Sequence, residues 1–168
     1  ITTITHWASR GFVVVAADYP GLGLADQLAS TAECELPTSG PLDVPADVNA
    51  QLAALESPSG ALAFLGDHLD LEQLAIAGHS QGGCLTASLS TLPNVKLVIP
   101  ISASLVTSAG PRLESILYVS GIDDTVIGYD YPLIGNTLCA QGTSDSVFAY
   151  NTSPGPPEVK KRIVGISG

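Results

Sequence analysis

Short apolar runs recur along the chain and are typical of buried strands. They cover residues 11–18, 74–78, 95–102, 115–120 and 162–167. Most of the intervals between them leave room for a crossover connection, which favours parallel pairing and a sheet buried on both faces. The pattern therefore predicts an α/β fold with a mostly parallel sheet and helices on both faces.

Helical signals lie between these runs. Pro45 and Asp47 mark a helix start, and the leucines that follow recur at near-helical spacing until residues 57–60 (Ser-Pro-Ser-Gly) interrupt them. This predicts either two helices or one broken helix, and residues 82–92 predict another that ends before Pro93. Residues 22–42 and 127–157 are irregular, and we expect both to frame a substrate cleft at the carboxyl edge of the sheet.

The length, hydrophobic content and net charge of the chain limit the class of protein to which it can belong. A chain of 168 residues with 45% hydrophobic content fits one domain, which we take to be a partial domain spanning residues 1–168. The net charge of -10 argues against a nucleic-acid partner. The apolar runs are far shorter than the roughly 20 residues of a membrane-spanning helix. The basic cluster at residues 160–162 is interpreted as a solvated strand entrance.

The chain contains no methionine, so we expect the native start to be missing. Its compartment, secreted or cytoplasmic, is therefore left open. The cysteines are Cys34, Cys84 and Cys139. Either all three are free, or one bridge forms with one cysteine left over. Because Cys84 falls on a predicted buried helix, the bridge to test is Cys34 with Cys139.

Residues 78–82 read Gly-His-Ser-Gln-Gly and match the pattern G-x-S-x-G. An apolar strand leads into the motif and a helix of small residues follows it, which is the setting that the motif requires. A serine at such a turn adopts strained backbone angles, and glycines on either side let the strand and the helix approach. We therefore predict Ser80 as a nucleophile and the N–H of Gln81 as an oxyanion donor. The alternative is that Ser80 is an ordinary helix N-cap.

The run Gly-His-Ser-Gln-Gly-Gly at residues 78–83 resembles the nucleophile elbow of the α/β-hydrolases, including esterases, lipases and the dienelactone-hydrolase, chlorophyllase and cutinase-like groups. Residues 18–23 are similar to the end of the strand that precedes the family's first long excursion. The resemblance covers nearly all of the chain. It implies an α/β-hydrolase sheet and hydrolysis of a carboxylic ester, small or lipid-like, without metal or cofactor.

In the family order the nucleophile is followed by an acid and then by a histidine. Residues 116–126 contain a strand, Gly121 and adjacent carboxylates, similar to the family's acid loop. The acid usually lies three residues past the glycine, which selects Asp124. Asp123 and a purely structural pair are the alternatives.

No histidine follows Asp124 in the chain. His79 is too close to Ser80 in a sharp turn to reach its hydroxyl, His68 precedes the strand and should lie at the opposite edge of the sheet, and His6 should pack or face solvent. We expect the base within about five residues beyond Gly168, and the first strands of the family before Ile1, so the isolated chain should be inactive. Acyl transfer by the same residues, and a non-catalytic binding or scaffold protein on a hydrolase fold, are the rival functions.

Overall fold

The computed structural model describes residues 2–17, 19, 43–103, 109–125, 146–153 and 159–167. The chain divides into two compact units, Ile1–Leu69 and Asp70–Gly168. No helix among the described residues is long and apolar enough to cross a membrane.

The first unit contains helix α1 (Thr2–Ala8), helix α2 (Val44–Glu56) and a 3-10 helix (Gly60–Leu65). The Asp43 carboxylate caps α2 by accepting a hydrogen bond of 3.0 Å from the N–H of Ala46. The helix ends before Pro58, because a proline disfavours helical angles in the residue that precedes it. The predicted pair of helices is confirmed, with the second as a 3-10 helix.

The strand predicted over residues 11–18 is wrong for the part that the structure describes. Residues 12–17 have no regular structure, and Phe12 is 61% exposed. A buried strand needs neighbours that bond its backbone, and the described part of the first unit contains no other strand. Apolar sequence alone therefore did not make this segment a strand.

The second unit is an α/β layer structure. Its four strands lie in the order β1-β2-β3-β4 and every pair is parallel. The strands predicted at residues 74–78, 95–102, 115–120 and 162–167 are confirmed to within two residues at their ends. In chain order the elements are β1 (Leu74–His79), helix α3 (Gln81–Leu89), β2 (Val95–Ile101), β3 (Ser115–Gly121), helix α4 (Ser146–Thr152) and β4 (Lys160–Ile166).

The core lies on one face of the sheet. Val98 and Ile116 are paired in register on that face and are fully buried, and Ala149 of α4 belongs to the same buried cluster. Helix α3 lies on the same face, because its backbone closely approaches Gly78, whose partner Pro100 is buried. When right-handed crossovers connect parallel strands that follow one another across the sheet in the same direction, their helices lie on the same face of the sheet.

The opposite face is only partly covered by the described residues. Val164 and Ile166 on that face are 45% and 56% exposed, and Ala75 and Ala77 are also exposed. The prediction of helices on both faces is thus confirmed for one face within the described part of the chain.

Helix α4 was not predicted, since residues 127–157 were expected to be irregular. Its sequence, SVFAYNT, has little intrinsic helix preference. Tertiary contacts hold it instead: Ala149 is buried against β3, and the buried Tyr118 hydroxyl of β3 hydrogen-bonds the Ser153 hydroxyl just past the helix end. Tertiary packing, rather than local helix preference, therefore stabilises α4.

Lys161 also holds α4 to the sheet. Its ammonium donates hydrogen bonds to the carbonyl oxygens of Tyr150 at 2.9 Å and Ser153 at 3.3 Å, and lies 5.6 Å from the centre of the Tyr150 ring. A cation at the carboxyl end of a helix pairs with unbonded carbonyls and with the helix dipole. Within the basic cluster, Lys160 and Arg162 are exposed as predicted, whereas Lys161 is half-buried.

This arrangement predicts that Lys161→Met lowers the free energy of unfolding by about 1 kcal/mol, because two carbonyl oxygens lose a charged donor. The neighbouring Lys160→Met should change it by less than about 0.5 kcal/mol, because Lys160 is exposed. Urea unfolding of both variants at 25 °C measures the difference. Equal effects would contradict the capping role of Lys161.

Candidate active site

Ser80 is the single residue between strand β1 and helix α3, and its backbone is strained. Its φ and ψ are 54° and -121°, a combination that residues with a side chain rarely adopt. Hydrogen bonds on both sides hold it there: the N–H of Ser80 donates to the carbonyl of Ile101 at 2.9 Å, and its carbonyl accepts from the N–H of Cys84 at 3.1 Å. The surrounding backbone therefore imposes the strain.

The Ser80 side chain does not act as a helix cap. An N-cap serine has extended backbone angles, and its hydroxyl accepts a hydrogen bond from the first turn. Ser80 has a positive φ and makes no side-chain capping bond. The alternative interpretation of Ser80 as an ordinary N-cap is therefore wrong.

The glycines of the elbow, residues 78–83, have unequal roles. A Cβ atom at Gly78 would overlap the Gly82 carbonyl and lie 2.8 Å from the Gly83 nitrogen, and one at Gly83 would overlap the Ala103 side chain. At Gly82, no described atom lies within 4 Å of an added Cβ. The steric requirement thus falls on Gly78 and Gly83, although the sequence motif names Gly78 and Gly82.

Gln81 is the first residue of α3, so its N–H has no acceptor within the helix. The N–H groups of a first turn present partial positive charge at the helix end. The Gln81 backbone thus lies directly beside Ser80, at the position that the sequence analysis predicts for an oxyanion donor.

Asp124 follows β3 through a tight turn. Its N–H donates to the carbonyl of Gly121 at 3.3 Å, which closes the turn that the glycine spacing predicted. Asp124 is half-buried, while Asp123 is exposed. The local geometry thus separates the two carboxylates into one that is partly enclosed and one that faces solvent.

Both predicted catalytic side chains lie at the carboxyl edge of the sheet. Ser80 follows β1 and Asp124 follows β3, with β2 between them. Adjacent strands lie about 4.8 Å apart, so the two backbones are separated by roughly 10 Å at this edge. The two side chains therefore need a bridging group to act together.

A cleft of about 440 Å³ occupies this edge. We call it the edge cleft. Asp124 and the exposed His79 line it, but Ser80 does not. The complete lining is His79, Ile101, Ser102, Val119, Ser120, Gly121, Asp123, Asp124 and Ile166. Sequence reasoning missed Ser102, which has a positive φ of 44° at the end of β2. Ser102 directly follows β2 as Ser80 directly follows β1, and this position was the signal available in the sequence.

The other candidate residues are placed as follows. His6, on α1, is exposed, and His68 is exposed within the first unit. Residues 22–42 lie outside the described residues, and the described part of 127–157 is α4 with Ser153, which pack against β3 rather than line the cleft. Among the described residues, no cluster of three His, Cys, Asp or Glu side chains could hold a metal ion.

Cys84, in the first turn of α3, is disulfide-bonded. The expectation that Cys84 is the cysteine left over by a Cys34–Cys139 bridge is therefore wrong. Cys34 and Cys139 lie outside the described residues. Cys84 is half-buried rather than enclosed in the core, so burial does not keep its sulfur from a partner. A bonded sulfur cannot serve as a nucleophile, so within the elbow the predicted nucleophile stays Ser80.

The different surroundings of Gly78, Gly82 and Gly83 predict different effects of alanine substitution on the free energy of unfolding. Gly78→Ala and Gly83→Ala should each lower the free energy of unfolding by more than about 3 kcal/mol, because the added methyl group meets backbone or a packed side chain. Gly82→Ala should be neutral or stabilising by up to about 1 kcal/mol, because it restricts the unfolded chain without a clash. Chemical unfolding of the three variants measures this order. A large loss at Gly82 would contradict it.

No family model, no curated protein and no solved structure matches this chain. A function must therefore be argued from the geometry of the elbow and of the sheet edge.

Proposed function

We propose that this chain carries the nucleophile and the acid of a serine carboxylic ester hydrolase of the α/β-hydrolase type. The observation that carries the proposal is the backbone of Ser80, with φ 54° and ψ -121°, in a one-residue turn between a parallel strand and a helix. A fold that keeps such strain at a serine without a capping bond holds the hydroxyl for a purpose other than helix stability.

In the proposed reaction the Ser80 hydroxyl attacks the ester carbonyl carbon and passes its proton to an imidazole. The N–H of Gln81 donates to the negative oxygen that forms. The intermediate collapses as the imidazolium protonates the departing alcohol, which leaves an acyl group on Ser80. Water, deprotonated by the same imidazole, then releases the acid and restores Ser80.

The proposed imidazole lies between Ser80 and Asp124. A histidine ring with a hydrogen bond of about 3 Å at each nitrogen spans roughly 8 Å, which suits two side chains on strands separated by one other strand. His79 is a poor candidate because it adjoins Ser80 in the elbow. We propose that a histidine elsewhere in the protein supplies the base, as the family order implies.

Two other functions use the same arrangement. Acyl transfer requires the same nucleophile and acid, with an acceptor other than water, and a binding or scaffold protein would retain the fold without reaction. The strained turn favours a reactive serine over a scaffold.

Reaction with a fluorophosphonate probe tests the nucleophile. In the full-length protein, we expect one label per chain, lost in Ser80→Ala. Ser102→Ala is the matched control, because Ser102 is another positive-φ serine at the same sheet edge, and it should retain the label. Labelling that depends on Ser102, or no labelling of the full-length protein, would reject Ser80 as a nucleophile.

The proposal that Asp124 is the acid predicts a separate result. In the full-length enzyme, Asp124→Asn should lower kcat by about 10⁴, because the imidazole loses the carboxylate that selects its tautomer. Thermal unfolding should show that the variant is folded. If Asp123→Asn proves to be the crippling change, the acid is Asp123 and the turn argument from Gly121 is wrong.

A further inference from the structure

Strand β4 is the last strand of the sheet in the described part of the chain. In a parallel ladder, each residue directs its N–H and its carbonyl to the same side, and successive residues alternate between sides. The N–H of Lys160 and the carbonyl of Ile166 both bond residues that flank β3, so the even-numbered residues of β4 face β3. The backbone groups of Lys161, Ile163 and Gly165 therefore point away from the sheet, toward the position of a next strand.

A groove of about 560 Å³ lies along β4. We call it the β4 groove, and Tyr150 and residues 160–164 line it. No described residue of β3 lines it, so it follows the outer edge of β4 rather than a face of the sheet. Five consecutive strand residues extend over about 16 Å. The edge thus offers outward backbone groups with space beside them, which a strand added from another chain requires.

The β4 groove is positively charged in an acidic protein. Lys160, Lys161 and Arg162 are three of the six lysines and arginines in a chain of net charge -10. Lys161 bonds carbonyl oxygens at the end of α4, whereas Lys160 and Arg162 are exposed and form no ion pair with a described residue. No Asp or Glu lies among the described residues that line the groove. Two cations, about 7 Å apart on one strand face, can therefore pair with an anionic partner.

From these observations we propose that the β4 groove binds an extended acidic segment of a partner protein, which joins the sheet as a strand beside β4. Carboxylates of the segment pair with Lys160 and Arg162. Farther along the same face, the exposed Val164 and Ile166 contact its apolar side chains. The fitting segment thus alternates acidic residues at one end and apolar residues at the other. This inference does not depend on the proposed ester hydrolysis.

A second copy of the chain fits this edge less well. Strand β4, KKRIVGI, contains no carboxylate that could pair with the cations of another β4, and each copy carries a net charge of -10. Lysines on an edge strand oppose pairing with strands that offer them no opposite charge. An acidic strand gains from the same lysines, so the charge of the groove selects the partner.

Matched peptides test the proposal on the full-length protein. The capped peptide VTITETE, in the antiparallel direction, places glutamates opposite Lys160 and Arg162 and apolar residues opposite Val164 and Ile166, and ETETITV does so in the parallel direction. In the controls, lysine replaces both glutamates. We expect at least one acidic peptide to bind about 10-fold or more tightly than its lysine control at low salt, and salt to narrow the ratio. Equal Kd values within both pairs, or no binding, would overturn the inference.

Charge reversal locates the binding site. Arg162→Glu should weaken binding of the acidic peptide by about 5-fold or more and strengthen binding of its lysine control, because the groove loses a cation and gains an anion. Arg10→Glu is the matched control: it makes the same change of charge at an exposed position of the first unit that does not line the groove. It should leave both Kd values within about 2-fold. Equal effects of the two variants would reject the β4 groove as the site.

Amide hydrogen exchange separates strand addition from a simple attraction of charges. When the acidic peptide is bound, the N–H groups of Lys161 and Ile163 should exchange more slowly, because they gain acceptors on the new strand. Those of Arg162 and Val164, which face β3, should not change. Binding without new protection of Lys161 and Ile163 would reject strand addition. Protection of these two groups that rises with protein concentration, without peptide, would identify a second copy as the occupant and overturn the proposal.

Discussion

The chain must change from strand to helix within one residue at Ser80, and the proposed chemistry depends on this constraint. The turn closes only because no side chain lies at Gly78 or Gly83, where helix α3 approaches the end of β1. The bond from the Ser80 N–H to the Ile101 carbonyl joins the turn to β2, so the neighbouring strand supports the strained residue. The hydrogen bonds of the sheet therefore offset the energetic cost of the strained backbone at Ser80.

Parallel pairing determines which residues can meet. In a parallel sheet the carboxyl ends of all strands lie at one edge, so Ser80, Ser102 and Asp124 share it although 44 residues of sequence separate the first from the last. Strand spacing also sets the distance between them. A gap of about 10 Å excludes direct contact between the backbones of β1 and β3 but admits a bridging ring.

The two faces of the sheet differ in how far the described residues cover them. Helices α3 and α4 cover the core face, where Val98, Ile116 and Tyr118 are fully buried. The other face carries the edge cleft and leaves Ile166 exposed within the described residues. Substitutions on the second face can therefore change the charge of the cleft without disturbing the buried core.

Local sequence determined the four strands, the start of α2, the elbow and the turn to Asp124, because each depends on neighbours within a few residues: apolar runs, a capping aspartate or a glycine at a tight turn. Only the tertiary structure decided the rest. Residues 12–17 have strand-like sequence, but the described part of their own unit contains no strand, whereas α4 has weak helix preference and forms through Ala149 and Lys161. Likewise, Gly83 rather than Gly82 is the constrained glycine because Ala103, distant in sequence, packs against it. Contacts between residues far apart in the chain are set by packing, which no short sequence pattern contains.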